Sequence, residues 1–334
     1  MLRILIFAAG VRQKIEDIKK GREKRKTAQV LRLVHKFKYT PLISPNSVIV
    51  THECFTNSDI VLQPHINLQS IEDDQARFIE FDKDIGMEVL NTRKYPLLIS
   101  AQVSKAKKII NVPRNDFDEI VSGLEIGQGD VVWLFHSARC GSTAWSQIFN
   151  ALPNWTVISE SFTHVYNMIC TETDFDLKVL SETSRYEEMV LSLINMHLKL
   201  APKGYNLLFK GTATDVHMIP TICKRFPKHK ILFAYRDVLP SARSYFQAFA
   251  ADMEFLVDYC INPWLKKVRY DDVRARQSWL LFTNGYDKDQ SLAAIRLAMP
   301  DPSIMEWYVL SWAGIRIMMN EFQLKGVPFK SIKY

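Results

Sequence analysis

The sequence predicts an α/β fold, a parallel sheet flanked by helices, preceded by an N-terminal α+β accessory region. Three observations carry this. Val131-Val132-Trp133-Leu134-Phe135 is an unbroken apolar run, the pattern of a strand covered on both faces. Shorter runs at 156–159, 207–209 and 231–235 repeat it with helical stripes between them, and strands alternating with helices build a parallel sheet. Arg139, Glu160, Lys210 and Arg236 stand just past the four runs, at the carboxyl ends where such sheets bind ligands.

The 334 residues suggest about two domains, or one large domain with an extension. A hydrophobic share of 47% and a charged share of 24% exclude a disordered chain. Five cysteines without a C-x-x-C pair argue against a disulfide scaffold and a cysteine zinc site. No apolar run approaches the ~18 residues of a membrane span, so no transmembrane segment is expected. Residues 1–40 hold twelve Lys or Arg against three acids, a net +9, which leaves −2 for the rest of a chain of net +7. The basicity belongs to the arm and not to the folded body, so nucleic acid is not the expected partner.

Taken in order, residues 1–10 are apolar but short and broken by Arg3, a first strand or frayed terminus rather than a signal anchor. The segment 11–38 is helical and strongly basic in composition, so 1–40 reads as a basic N-terminal arm. Across 41–126, an accessory region, short β-type runs occur at 47–51, 59–62, 76–81 and 95–99, and a capped helix begins near 115. No chemical motif appears there.

The chemistry lies in 127–334. After the first apolar run comes His136-Ser137-Ala138-Arg139-Cys140-Gly141-Ser142-Thr143, then Trp145, Ile148, Phe149 and Leu152 at helical spacing. Strand, small-residue turn and helix aim backbone N–H groups and the helix dipole at an anion. Gly141 permits close approach, and Arg139, Ser142 and Thr143 add donors. A thiol near such charge, Cys140, is open to a lowered pKa or is only a small residue tolerated there. Neither the Walker G-x-x-x-x-G-K-[ST] pattern nor G-x-G-x-x-G is present, which argues against an ATPase and a dinucleotide site. His197 lies on the apolar stripe of residues 186–198 and reads as core, while His164 and His217 are weak base candidates. A long striped helix from Ile304 to Phe322 ends at Gly326, and 327–334 reads as a last strand.

These residues resemble the P-loop-type sulfotransferases that use 3′-phosphoadenylyl sulfate (PAPS). Ser137 to Thr143 is similar to their 5′-phosphosulfate loop, in the R-x-G-S-T form of the carbohydrate-modifying branch. The run 231–246, ILFAYRDVLPSARSYF, is similar to their 3′-phosphate motif, with Arg236 and Ser244 in the gripping positions. The resemblance covers about 129–334 and implies a P-loop NTPase-like fold and transfer of a sulfuryl group from PAPS to a hydroxyl or amine, without a metal. It implies that Arg139, Cys140, Gly141, Ser142 and Thr143 hold the 5′-phosphosulfate, and that Lys210 stabilises leaving-group charge. Glu160, at the end of the second strand, is the implied general base. The acceptor implied is a small molecule or carbohydrate, and Trp264, Trp279, Tyr286 and Phe249 lie where this family builds its acceptor site. Alternatives are an inactive PAPS- or PAP-binding module and a nucleotide-dependent phosphotransferase. In the family the last strand runs on to a Y-E-D-L-like sequence and a Gly-rich basic loop, so a chain ending at Tyr334 implies a fragment. The lack of an anchor favours the cytoplasm, whereas the R-x-G-S-T loop leans toward the Golgi lumen.

Overall fold

A computed structural model describes residues 9–20, 22, 26–36, 48–72, 74–124, 129–161, 184–250 and 304–334. The chain divides into two compact units, one of residues 1–129, 146–165 and 189–208, the other of 130–145, 166–188 and 209–334. The first unit thus begins with the arm and accessory region and also takes two segments from the expected 127–334 domain.

The first unit carries helix α1 (Ala9–Lys19), strands β1 (Thr27–Lys36), β2 (Val48–Asn57), β3 (Ile66–Ile71) and β4 (Gln75–Glu80), helix α2 (Leu98–Lys105), strand β5 (Lys108–Pro113) and helix α3 (Arg114–Ser122). The strands form an antiparallel sheet in the order β2-β1-β5-β4-β3. The helix expected over 11–38 is therefore only half right. After α1 the chain extends, and Ala28 and Val30 point into the core at the two-residue period of a strand. Two expected strands are also corrected. Ser58–Leu62 is a 3-10 turn whose first N–H, from Asp59, is capped by the Asn57 side chain at 2.9 Å. Of 95–99, Leu98 and Ile99 open helix α2 instead, after an extended Leu97. Phe117, Ile120 and Val121 give α3 a buried face, with Phe117 edge-on to Phe78 at 6.0 Å.

Edge strand β3 is buried throughout, although it reads Ile-Asn-Leu-Gln-Ser-Ile. Its carbonyls are sealed by side chains. Gln102 of α2 donates to the Leu68 carbonyl at 3.0 Å, and the Lys199 amine donates to the Ile66 carbonyl at 3.0 Å and to that of Val61 in the preceding 3-10 turn. Lys199 also lies over the Phe78 ring, and burial pushes its pKa down to about 7.

The second sheet comprises β6 (Val131–His136), β7 (Trp155–Ser159), β8 (Asn206–Lys210), β9 (Lys230–Tyr235) and β10 (Lys330–Lys333), in the order β10-β9-β6-β8-β7. Its helices are α4 (Ser142–Ala151), α5 (Ser184–Leu198), α6 (Ile219–Arg225), α7 (Val238–Ala250) and α8 (Ile304–Leu324). The sheet is parallel, as expected from its apolar runs. β6 and β9 pair from Val132↔Lys230 to His136↔Ala234, so both strands end at one level. Trp133 is fully buried, stacks on Phe209 at 4.3 Å, and donates its indole N–H to Nδ1 of His229 at 3.1 Å. Burial lowers the His229 pKa to about 4, which keeps that nitrogen an acceptor.

One expected stripe is only partly inward. Ile148 of α4 and Leu152, just past its end, are 55% and 43% exposed. His197 is buried as read from sequence; its Nδ1 lies 2.9 Å from the Leu193 carbonyl, and burial lowers its pKa to about 4. Among the described residues no helix is long and apolar enough to cross a membrane. His164, Trp264, Trp279 and Tyr286 lie outside the described residues, as does the side chain of Phe249.

Candidate anion-binding site

The site is built where β6 ends. Ser137 donates its N–H to the Ala234 carbonyl at 3.1 Å, and the next N–H, from Ala138, turns back to Nδ1 of His136 at 3.1 Å. Ala138 and Arg139 then adopt φ +61° and +48°, and Gly141 φ +79°. Left-handed backbone at a non-glycine residue costs about 1–3 kcal/mol each, so this turn is held by its surroundings. The holding contacts are visible. Cys140 is fully buried and lies 3.3 Å from the Ala234 carbonyl, and the Tyr308 hydroxyl donates to the Ala138 carbonyl at 3.2 Å. Burial pushes the Cys140 thiol above its ordinary pKa, against the opposing pull of backbone donors and Lys210.

Gly141 closes the turn, and its carbonyl accepts from the N–H groups of Ala144 and Trp145, so the first turn of α4 directs its remaining N–H groups toward the loop. A side chain at 141 would also collide. A Cβ there would lie 2.8 Å from the Tyr334 ring. Lys210, at the end of β8 and 1% exposed, places its amine 3.3 Å from the Thr143 hydroxyl.

The neighbouring strand end supplies the second half. Arg236 follows β9, and Ser244 lies two turns into α7. The Arg139 guanidinium donates to the Ser244 hydroxyl at 3.2 Å, tying the first turn to the second. The Arg236 guanidinium lies over the Tyr334 ring, 5.3 Å from its centroid. Arg243 is exposed, as its helix position suggested.

Arg139, Cys140, Gly141, Ser142, Thr143, Lys210, Arg236 and Ser244 are thus all in the second unit, on adjoining turns. Glu160 belongs to the first unit. It follows β7 with a left-handed φ of +52° and is half-buried. His217 is buried in a 3-10 turn, Ala213–Met218.

Three residues that the sequence placed only in the last helix and the last strand also belong here. Tyr308 and Trp312 of α8 reach the two turns, Trp312 donating to the Arg236 carbonyl at 3.0 Å, and Tyr334 covers Gly141. Their partners lie 76 to 193 positions away in the chain, so no local pattern announces them; the four-residue spacing of Tyr308, Trp312 and Arg316 was the one available signal. Comparison with protein-family models, with curated proteins and with solved structures finds no match to this chain.

Proposed function

We propose that this protein is a sulfotransferase that moves a sulfuryl group from PAPS to a hydroxyl or amine acceptor. The observation that carries the reading is the 3.2 Å bond from Arg139 to Ser244, which joins two cationic turns at adjacent strand ends. A ligand with an anionic group at each end of a nucleoside suits such a pair. The turns fit oxyanions. The left-handed Gly141 lets the loop turn its backbone tightly, and the Ser137 hydroxyl is buried at the strand end with no hydrogen-bond partner.

PAPS supplies an activated sulfuryl group on a 5′-phosphate. Arg139, Ser142, Thr143 and the first N–H groups of α4 hold the phosphosulfate in line for attack. Lys210 sits beside Thr143 to offset the charge that develops on the departing phosphate oxygen. Arg236 and Ser244 grip the 3′-phosphate. Glu160, assigned by the resemblance alone, takes the acceptor proton as the new S–O bond forms.

The test is calorimetric titration of PAP, the desulfated product, into wild type and Arg236→Ala. Micromolar binding that weakens at least tenfold in the variant supports the donor site; an interaction between a charged pair of this kind contributes about 1.5–3 kcal/mol. Absence of binding to folded wild type overturns it. Labelled PAPS with an acceptor panel then separates an enzyme from a binding module, and Glu160→Gln should abolish turnover while leaving PAP affinity unchanged.

A further inference from the structure

Helix α8 touches both anion-binding turns through main-chain atoms. Tyr308, Trp312 and Arg316 stand four residues apart, on one face. Tyr308 is 2% exposed and packs against Tyr245 with ring centroids 4.4 Å apart. Its hydroxyl donates to the carbonyl of Ala138, the first left-handed residue of the 137–143 turn. One helical turn later the Trp312 indole donates to the carbonyl of Arg236 at 3.0 Å. One turn further the Arg316 guanidinium lies 4.1 Å over the ring of Tyr235, the residue before Arg236. The helix is itself anchored independently, because Ile315, Met318, Met319 and Phe322 are all at most 3% exposed.

A rigid helix that bonds two separate turns fixes the distance between them. We propose that α8 is the strut that registers the two turns, with Tyr308 and Trp312 as positioning residues that set the spacing between the anion held by residues 137–143 and the anion held by Arg236 and Ser244. This rests on reading the turns as two halves of one nucleotide bisphosphate site. Neither side chain touches the ligand in this scheme. Trp312 acts through the carbonyl of Arg236 itself, and Tyr308 through the carbonyl of Ala138, the residue before Arg139. Burial pushes the Tyr308 hydroxyl pKa up to about 12, so it remains a donor across the neutral range.

The experiment uses ligands with one anion or two. PAP, 5′-AMP and 3′-AMP are titrated into wild type, Tyr308→Phe, Trp312→Phe and the double variant. Each substitution keeps a ring and removes one donor. The expected result is that each monophosphate binds all four proteins alike, while PAP affinity falls about five- to tenfold in each single variant, the size of one lost neutral hydrogen bond. The double variant should fall by less than the product of the two, because both changes relax the same spacing. Unaltered 5′-AMP and 3′-AMP binding also shows that the variants fold. An equal loss for PAP and the monophosphates, or no loss for PAP, overturns the strut. Wild type that binds none of the three overturns the nucleotide reading and the strut with it, which separates that failure from the others.

Discussion

Strands β3 and β6 are both buried along their whole length, and they reach that state by opposite means. β6 reads Val-Val-Trp-Leu-Phe-His and needs only neighbours to cover it; Trp133 alone stacks on Phe209 and bonds His229. β3 buries Asn67, Gln69 and Ser70 among its apolar residues. It is an edge strand, and its outer carbonyls are satisfied by Gln102 and Lys199 rather than by another strand. Apolar burial tolerates any partner of the right shape, whereas polar burial requires a particular donor at a particular carbonyl. The first kind of strand is therefore robust and easily recognised, and the second is specific and hidden.

Three experiments probe that contrast. Trp133→Ala should have the largest effect, a loss of about 3–5 kcal/mol in urea unfolding, because it empties a filled site and leaves His229 without its donor. A loss under 1 kcal/mol would show that β6 does not depend on its packing. Asn67→Leu should instead stabilise, by about 1–3 kcal/mol, since neither polar atom of the Asn67 amide has a hydrogen-bond partner. Destabilisation there would mean that the amide holds a bound water. The third experiment reads pH. The Lys199 pKa is about 7 in the folded state against an ordinary 10.5, so the folded protein holds fewer protons than the unfolded chain between those values. Stability attributable to Lys199 accordingly rises with pH through that window and is lowest below it. Comparing wild type with Lys199→Met from pH 7 to 10 should reveal an extra slope in wild type of at most about 1.4 kcal/mol per pH unit. Parallel curves would remove Lys199 from the seal on β3.

The same contrast explains what the sequence disclosed. All four strands read from apolar runs in 127–334 are present, because a strand covered on both faces leaves a continuous record in the chain. β1 was read as helix because its basic residues hid the inward alternation of Ala28 and Val30. β3 and β5 went unread: Asn67, Gln69 and Ser70 look like surface, and Lys108 and Asn111 interrupt the run of β5. The run at 95–99 fits a strand or a helix equally by periodicity, and Ala101 and Gln102 carry it into a helix. The turns that follow β6 and β9 were legible as strand ends, since each lies within a few residues of an apolar run. The side chains that hold them, Tyr308 and Trp312, were not, because a hydrogen bond to a carbonyl asks nothing of the sequence around that carbonyl.

The common ending of β6 and β9 has one more consequence. Adjacent strands lie about 4.8 Å apart whatever side chains they bear. The interval between the two strand ends from which the turns spring is therefore gauged by the main chain, and it is insensitive to substitution within either strand. Insertion or deletion is a different matter, since a one-residue slip would carry Arg236 out of step with Gly141 and turn alternate side chains to the opposite face. In this part of the molecule residues can be exchanged, but they cannot be counted differently.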